Sequence, residues 1–362
     1  MENSWKSNWP ETKRHFIDWW NHRGLVLGSW YPPLAEPPRR TADQPPPPRT
    51  PADEYLDPAM RARRIHADFS GRVFPADTLP CVHSFLGAGS LALFLGSEPG
   101  FSWETVWFEP SMADVENPET CPPLVFDPEN RWWRLTLDTL RECSKLGAGQ
   151  YRASCPDLVE NIDILSALRD PQTLMVDLVD RPDWVKQKVD EINEAWVQAY
   201  RHIYEIIKLE DGSSFYGAFA LWGPGRTAKV QCDACAMFST EMFREFVQPA
   251  LARQCEWLDH SMYHLDGTQC ICHLDALFEI ESLDAIEWTP QAGIEGGGSP
   301  RWHDLYRRIL DAGKSVQAIG VAPSEVIPLL DAVGPKGMYI MVSTSSAREL
   351  EELAAKVEPY RK

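Results

Sequence analysis

The chain has 362 residues and a formal charge of −18, with 44% apolar and 24% charged residues. This composition is that of a folded globular protein and excludes wholesale disorder. No stretch reaches the roughly 18 uncharged apolar residues of a membrane helix. Because nucleic-acid binding needs clustered Lys and Arg, the acidic balance argues against a nucleic-acid partner. The expected ligand is a small molecule.

The cysteines and the first residues predict a cytoplasmic protein without a disulfide framework. The chain has nine Cys, an odd number, and Met1–Lys6 lacks the apolar core of a signal peptide. The pair Cys232 and Cys235 has zinc-knuckle spacing and precedes Cys270-Ile-Cys272-His273. These residues could hold zinc tetrahedrally. Buried structural thiols are the alternative.

Strand candidates separated by helices follow one another along the chain. The strand candidates are residues 25–30, 79–85, 149–154, 214–222, 261–266, 284–288, 315–320 and 338–343. The helix candidates are residues 10–24, 183–208, 240–260, 269–281, 300–312, 323–333 and 346–357. This alternation predicts one α/β domain over residues 1–362, a (β/α)8 TIM barrel with an N-terminal extension. A doubly wound open sheet is the alternative, although no G-x-G-x-x-G follows the first strand.

Two segments do not fit the alternation of strands and helices. Residues 31–51 are rich in proline, which excludes a helix or a central strand there. A loop of this length inside a domain is more often functional than a plain linker. Residues 86–148 are too long for one crossover and predict an inserted lid. We expect both segments to lie over the C-terminal mouth of the barrel.

Polar side chains stand at the ends of the predicted strands, where a barrel carries its chemistry. His264 and Asp266 lie two apart on one strand and therefore face the same way. Glu287 ends the next strand, and adjacent parallel strands are about 4.8 Å apart. The three groups can therefore converge as ligands of a divalent metal such as zinc, iron or manganese. A hydrogen-bonded trio without metal is the alternative.

Other residues at or after the strand ends are predicted to bind the substrate. They are Trp30, Tyr31, His83, Arg152, Trp222, Trp288, Gln291, Arg301, His303 and Thr344. The tryptophans favour a ligand with a flat or apolar face. The loop Gly293–Ser299, with three consecutive glycines, would either approach a ligand closely or serve as a flexible connection.

Residues 150–362 resemble the uroporphyrinogen decarboxylase superfamily, whose fold is a (β/α)8 barrel. Residues 238–249, FSTEMFREFVQP, resemble the family helix S-P-x-x-F-x-E-F-x-x-P, with Thr240 in place of proline. His264-Leu-Asp266-Gly267 falls where the family has H-x-C-G. True uroporphyrinogen decarboxylases carry an R-Q-A-G-R-Y segment, and the corresponding residues 22–31 read HRGLVLGSWY. The resemblance therefore implies the methyltransferase branch of the superfamily.

That branch, which includes corrinoid-linked enzymes, binds zinc through His, Cys and a later Cys, sometimes with a Glu. His264 and Glu287 match these positions, Asp266 replaces the first Cys, and Ser343-Thr344 lie near the second. Without thiolates the site is harder and favours an oxygen substrate or another metal. The resemblance implies a metal-dependent methyltransferase or demethylase, with zinc as the first expected metal and a corrinoid protein as partner. A homodimer is a further expectation.

Two other functions stay open. A metal-independent decarboxylase or other lyase would use Asp233 or Asp266 to handle a proton, and Arg152 or Arg301 would hold a carboxylate. A non-catalytic protein would bind a small molecule in a Trp-lined pocket. In the enzyme hypotheses the catalytic residues are Asp233, His264 and Glu287.

Overall fold

The computed structural model describes residues 6–37, 42–84 and 86–361. Phe85, in the predicted strand 79–85, and residues 38–41 of the proline-rich loop lie outside this part. The strands are β1 Leu25–Ser29, β2 Cys81–Val82, β3 Glu98–Phe101, β4 Val106–Glu109, β5 Arg152–Ala153, β6 Ser214–Tyr216, β7 Leu221–Gly223, β8 Thr227–Gln231, β9 His260–Asp266, β10 Ala285–Thr289, β11 Ser315–Val321 and β12 Met338–Val342. The helices are α1 Trp9–Trp20, α2 Pro58–Ser70, α3 Leu91–Phe94, α4 Arg131–Leu146, α5 Asn161–Arg169, α6 Pro171–Asp180, α7 Pro182–Ile207, α8 Thr240–Met242, α9 Gln248–Trp257, α10 Leu274–Phe278, α11 His303–Asp311, α12 Val326–Val333 and α13 Ala347–Val357.

Six strands form one parallel sheet in the order β1–β12–β11–β10–β9–β8. Strands β2 and β5 pair in parallel, and β5 is followed by a bridge from Cys155 to Tyr216 of β6. A few hydrogen bonds, without a regular strand ladder, span the two remaining junctions. Asp77 N donates to Leu27 O at 2.8 Å beside β1, and Thr227 N donates to Ser214 Oγ at 3.3 Å between β8 and β6. The α/β class is thereby confirmed, and the arrangement is consistent with a barrel.

The predicted strand 214–222 is wrong as a single strand. Strand β6 ends at Tyr216, and β7 returns antiparallel to it. Between them Phe219 and Ala220 have φ of 62° and 46°, a left-handed conformation that is costly for residues other than glycine. At Gly217 a Cβ would lie 2.4 Å from Ser154 Oγ. The turn is therefore fixed by close packing that no hydrophobic pattern reveals.

Strand β8, which the sequence analysis did not predict, pairs with β9 on the side away from β10. All five of its residues are buried, including Lys229. The ammonium group of Lys229 lies 2.7 Å from the carboxylate of Asp157. A lysine in a fully buried strand contradicts the apolar pattern of such strands. The ion pair explains why the strand forms despite the pattern.

The predicted helix 240–260 is interrupted in the structure. A π-helical turn, Phe243–Val247, separates α8 from α9. Pro249 lacks an N–H and cannot donate the intrahelical bond to the carbonyl of Glu245. A wider turn before a proline is a common accommodation of that missing bond. The long predicted helix 183–208 is confirmed as α7.

Residues 86–148 contain helix α3, the β3–β4 hairpin and helix α4. The hairpin contacts the segment that follows the proline-rich loop, because Phe101 stacks on Tyr55 with ring centroids 5.4 Å apart. Helix α4 packs against α2. A position of these elements over the mouth of the sheet stays a prediction.

The glycine-rich loop 293–299 is a packed connection. Gly297 N donates to Ile319 O at 3.0 Å, and a Cβ at Gly297 would lie 2.2 Å from that oxygen. Tyr306 donates from its hydroxyl to the carbonyl of Gly297 at 2.6 Å. The glycines are therefore needed for close approach of the loop to β11.

Among the described residues, no helix combines the length and the apolar character needed to cross a bilayer. All nine cysteines are free thiols. Neither observation bears on the predicted cytoplasmic location.

A buried carboxylate joins both ends of the chain to the sheet. Asp77 accepts hydrogen bonds from Leu27 N at 3.0 Å and from Arg361. His15 Nδ1 lies 2.8 Å from its other oxygen. Burial alone would raise the pKa of Asp77, but the hydrogen bond with His15 and the charge of Arg361 outweigh burial and lower it. The carboxylate therefore stabilises the fold above its unfolded pKa of about 3.9, and this stability is lost as the pH falls through the lower folded pKa.

We expect Asp77→Asn to lower the urea midpoint most at pH 6–7, because the charged interactions are complete there. The difference from the native protein should shrink below about pH 4, where the Asp77 carboxylate of the unfolded chain takes up a proton. Urea unfolding at several pH values measures this. Asp18→Asn, which removes an exposed pair with Arg23, should change stability by less than about 1 kcal/mol throughout. A gap between Asp77→Asn and the native protein that stayed constant down to pH 3 would contradict the assignment.

Candidate functional site

A row of polar side chains crosses one face of the six-stranded sheet. The strand register pairs Gln231 with His264, His264 with Glu287, and Glu287 with Gln317. Neighbouring residues in register on parallel strands point to the same face. These polar groups are buried, so each needs a hydrogen-bonding partner. The row therefore forms a buried, organised layer of polar side chains on one face of the sheet, here called the polar layer.

His264 and Glu287 form the centre of this layer. His264 Nδ1 lies 2.5 Å from Glu287 Oε2, and Thr289 donates from Oγ1 to Glu287 Oε1 at 2.7 Å. Burial would lower the pKa of His264, but the charge and hydrogen bond of Glu287 outweigh it and raise the pKa. Burial raises the pKa of Glu287, against the opposing effect of His264. With Nδ1 held by Glu287, Nε2 is the imidazole nitrogen left for a ligand.

Asp233, His264 and Asp266 form the one cluster of possible metal ligands found in the described ranges. One ligand atom from each residue lies within 4.8 Å of the others. His264 Nε2 faces Asp233 Oδ1 at 3.9 Å. Although half of the Asp233 side chain is exposed, its partial desolvation and the charge of the neighbouring Asp163 raise the pKa of Asp233 to about 6. Two carboxylates and one imidazole form a ligand set suited to a divalent cation. Glu287, a predicted ligand, instead occupies the position of a hydrogen-bond partner of the histidine.

Gln231 joins this cluster to a buried ion pair. Its side-chain Nε2 donates to Asp233 Oδ2 at 2.8 Å and to Asp163 Oδ2 at 2.9 Å. Its Oε1 accepts a hydrogen bond from Lys229 Nζ, which fixes the orientation of the amide. Lys229 in turn pairs with Asp157. Asp233 is thus held through one oxygen, while the other faces His264.

Glu160 adds a further carboxyl group to the same region. It is fully buried and accepts a hydrogen bond from the backbone N–H of Gln231. Burial raises the pKa of Glu160 to about 8, although the charge of Lys229 opposes this shift. At pH 7 Glu160 is therefore mostly protonated and adds little negative charge to this part of the interior.

Phe219 covers the imidazole of His264. The two ring centroids lie 4.6 Å apart, and on the other side Phe219 makes an edge contact with Trp30 at 5.1 Å. The strained backbone is held by buried donors, with Gln317 Nε2 bonding to Phe219 O at 2.8 Å and Tyr339 bonding to Ala220 O at 3.0 Å. Strain that the surrounding structure holds in place is typical of functional sites.

A second strained segment lies at the start of α5, close to the buried ion pair. Val159 and Asn161 have φ of 54° and 51°, and a positive φ is a genuine outlier for a β-branched residue. Asp157 and Glu160 lie on this segment. The strain therefore accompanies the carboxyl groups that surround Lys229.

A cavity of about 380 Å³ opens beside Phe219. Trp30 and Tyr31, which follow β1, and His83, which follows β2, line it together with residues of α2. Trp30 and Tyr31 are 39% and 72% exposed. Trp30 in the cavity wall contacts Phe219, and Phe219 contacts His264, so Phe219 lies between the cavity and the polar layer. These three predicted substrate-binding residues thus share one cavity.

Two predicted substrate-binding tryptophans lie in the core instead. Trp222 is on β7 and packs against Trp9 and Phe16, because the chain turns before it and strand β7 runs antiparallel to β6. Trp288 is fully buried and packs against Trp302 with ring centroids 4.8 Å apart. It follows Glu287 directly and so points to the opposite face of β10.

Three of the five remaining predicted substrate-binding residues, Gln291, Thr344 and Arg301, have side-chain partners in the protein. Gln291 exchanges hydrogen bonds with Thr268 at 2.8 and 3.0 Å, and Thr344 donates to Glu349 at 2.5 Å. Arg301 pairs with Glu295 at 2.8 Å and lies over the ring of Trp302. His303 begins α11 and Arg152 begins β5. None of the five lines the cavity described above.

The cysteine-rich segments form a thiol contact. Cys235 Sγ lies 3.5 Å from Cys270 Sγ, while Cys272 is exposed and donates to Gln269 O. His273 Nε2 bonds to the carbonyl of Cys235 at 2.9 Å. Cys232, Cys235 and Cys270 are buried, as in the alternative of structural thiols, whereas Cys272 is not.

Sequence reasoning missed the second layer of the site. Lys229, Gln231, Asp157, Glu160 and Asp163 were not predicted as functional. A signal was present, because Lys229, Gln231 and Asp233 alternate in the sequence and would share one face of an extended chain. The buried strand was not recognised because of its lysine, so this alternation was not used.

Comparisons with known proteins give information on the fold. No protein-family model and no curated protein matches the chain. Among solved structures the chain is similar to a methyltransferase from Methanosarcina mazei, with a TM-score of 0.63 and 10% sequence identity. The likeness covers 97% of this chain and 99% of that one. At this identity it shows a shared fold.

Proposed function

We propose that the chain is a metal-dependent methyltransferase or demethylase built on a closed (β/α)8 barrel. The observation that carries the proposal is the convergence of Asp233, His264 and Asp266 within 4.8 Å. The fold shared with a methyltransferase and the sequence resemblance given above favour methyl transfer as the reaction. Fold alone does not determine chemistry, so the ligand cluster is the stronger support.

The three ligands would be the carboxylates of Asp233 and Asp266 and the Nε2 atom of His264. This assignment exchanges Glu287 for Asp233 in the set expected from the sequence. It leaves Glu287 as the acceptor for His264 Nδ1, the arrangement that metal-ligating histidines usually have. Zinc, manganese and ferrous iron all suit such a set.

The protein's own residues would do three things around the cation. Glu287 holds the imidazole in one tautomer, and Gln231 holds Asp233 through Oδ2. Phe219 covers one face of His264 and limits the access of water. A bound cation would act as a Lewis acid on a substrate oxygen. In the transfer, the bond from the methyl carbon to its donor would break as the bond to the acceptor forms, and the proton of an acceptor hydroxyl would pass to solvent water.

A corrinoid protein as methyl carrier and a homodimer stay proposals from the sequence. The proposed corrinoid carrier suggests an assay with methylcobalamin as the methyl donor. Metal-loaded protein should accelerate the loss of the methyl group from free methylcobalamin to an added acceptor, which the visible absorbance of the corrinoid reports. Failure of methyl transfer by protein that binds metal would favour a lyase on the same scaffold.

We expect Glu287→Gln to weaken metal binding by roughly 10–100-fold while the fold persists, because loss of an outer partner of a ligating histidine has that effect. Titration with Co²⁺, followed by its visible absorption, measures the affinity. Glu279→Gln makes the same change at an exposed pair with Arg244, so it serves as the control and should bind Co²⁺ as the native protein does. Equal affinity of Glu287→Gln and native protein would remove Glu287 from the site.

A further inference from the structure

We propose that the cavity beside Phe219 binds an uncharged aromatic compound with a hydroxyl or methoxy group, as the substrate of the proposed metal site. The inference rests on the proposed function and names the substrate class. It depends on the chemistry of the cavity wall, on its charge balance and on the ring contacts that link Trp30 through Phe219 to His264.

The wall of the cavity is largely aromatic and apolar. The residues that give it this character are Trp30, Tyr31, Ile65, Phe69, Leu79 and Val82. A volume of about 380 Å³ falls in the range of small-molecule sites and accommodates a single substituted ring. Aromatic rings favour offset or edge contacts with one another. Trp30 and Tyr31 can therefore stack on a flat ligand.

The charged residues of the wall are already paired with one another. Arg72 makes two hydrogen bonds of 2.8 Å to Asp68 and a third to Pro32 O at 2.6 Å. Arg64 lies 3.3 Å from Glu54 and donates to Asp53 O at 3.1 Å. Among the charged groups of these four residues, Arg64 Nε has no hydrogen-bond partner. At the other charged atoms a ligand carboxylate or ammonium would have to displace a residue from its pair, which leaves the desolvation of the ligand charge poorly compensated.

His83 adds no charge to the cavity at neutral pH. Burial lowers the pKa of His83 to about 4, and the nearby Lys229 and Arg61 act in the same direction. The wall thus offers rings and paired charges, a combination that selects against both carboxylates and ammonium ions. This argues against the arginine-bound carboxylate that a decarboxylase would need here.

The ring contacts that lead from the cavity wall through Phe219 to His264 favour an oxygen substituent. Phe219 lies between Trp30 and His264, with centroid distances of 5.1 and 4.6 Å. A ring seated on Trp30 would present its substituent along Phe219 toward the metal ligands. Carboxylate and imidazole ligands make a hard cation, which prefers an oxygen donor to a sulfur donor. A hydroxyl or methoxy group meets that preference without adding charge.

A matched set of three probes tests the proposal. Benzyl alcohol, benzoate and benzylammonium share one ring and differ in charge at neutral pH. We expect benzyl alcohol to bind at least tenfold more tightly than either ion, as measured by calorimetry or by ligand-observed NMR on the full chain. Equal or tighter binding of benzoate or benzylammonium would overturn the proposal, as would the absence of binding by all three.

Two tryptophan variants locate the binding. Trp30→Ala should weaken benzyl alcohol binding at least fivefold. Trp103→Ala should not change it, because Trp103 is 61% exposed on the β3–β4 turn and does not line the cavity. Equal affinities of the two variants would place the ligand elsewhere. If Trp30→Ala fails to fold, Trp30→Phe, which keeps a ring, should bind with intermediate affinity.

The metal and the ligand can be tested separately. Benzyl alcohol should still bind to Asp266→Asn after metal has been removed, because Asp266 does not line the cavity. Ligand binding without metal binding in the native protein would contradict the proposed function and leave the cavity assignment intact. If the native protein binds metal but does not prefer the neutral probe, the cavity assignment is contradicted and the proposed function stands.

Discussion

Replacing His264 by alanine should abolish tight metal binding, and Asp233→Asn and Asp266→Asn should each weaken it strongly. Each change removes a ligand from a cluster of three. The loss should therefore exceed the roughly 10–100-fold that follows removal of an outer partner such as Glu287. Co²⁺ titration and elemental analysis of purified protein measure the effect. Methyl transfer should fall with the metal.

The stability of these variants separates a metal site from a structural network. Asp233 is exposed and Asp266 is half-buried, so their amides should unfold at nearly the native urea concentration. His264→Ala leaves Glu287 buried without its partner and should cost stability as well. Asp275→Asn, on the surface of α10 beside Arg308, is the matched control and should change neither property. If all three site variants kept native metal affinity and unfolded early, the cluster would be a hydrogen-bonded support of the fold.

The sequence predicted the centre of this site because two simple rules apply there. His264 and Asp266 share a face by alternation, and Glu287 lies in register with His264 on the neighbouring strand. The same alternation places Trp288 on the opposite face from Glu287, so its assignment to the substrate was avoidable. The position of a residue at a strand end says where it lies along the strand but not to which face it points.

The hairpin and the buried lysine could not be predicted in the same way. Phe219 adopts a left-handed backbone because Gln317 and Tyr339 bind the carbonyls of the turn from distant strands. Lys229 is stable in a buried strand because Asp157 comes from another part of the chain. Both features depend on partners far away in sequence. Local patterns of hydrophobicity contain no information about such partners.

Replacing Lys229 by methionine should destabilise the protein by about 3–5 kcal/mol, because it leaves a buried carboxylate without its cation. Lys229 is 0% exposed and lies 2.7 Å from Asp157. Burial lowers the pKa of Lys229, but Asp157 and Glu160 outweigh it and raise the pKa, so the pair is charged at neutral pH. Urea unfolding at pH 7 measures the loss. Asp275→Asn, which breaks an exposed pair with Arg308, should cost less than about 1 kcal/mol.

A double variant shows whether the lost stability comes from the unpaired charge. Asp157→Asn added to Lys229→Met removes the remaining charge of the pair, and we expect more than half of the lost stability to return. Glu160 does not prevent this, because its pKa of about 8 leaves it mostly protonated at pH 7. The metal affinity should stay below that of the native protein, since Gln231 loses the lysine that orients its amide toward Asp233. Recovery of stability without recovery of metal affinity would assign Lys229 both to the fold and to the positioning of a ligand. If the double variant were no more stable than Lys229→Met, the ion pair would not be the source of the loss.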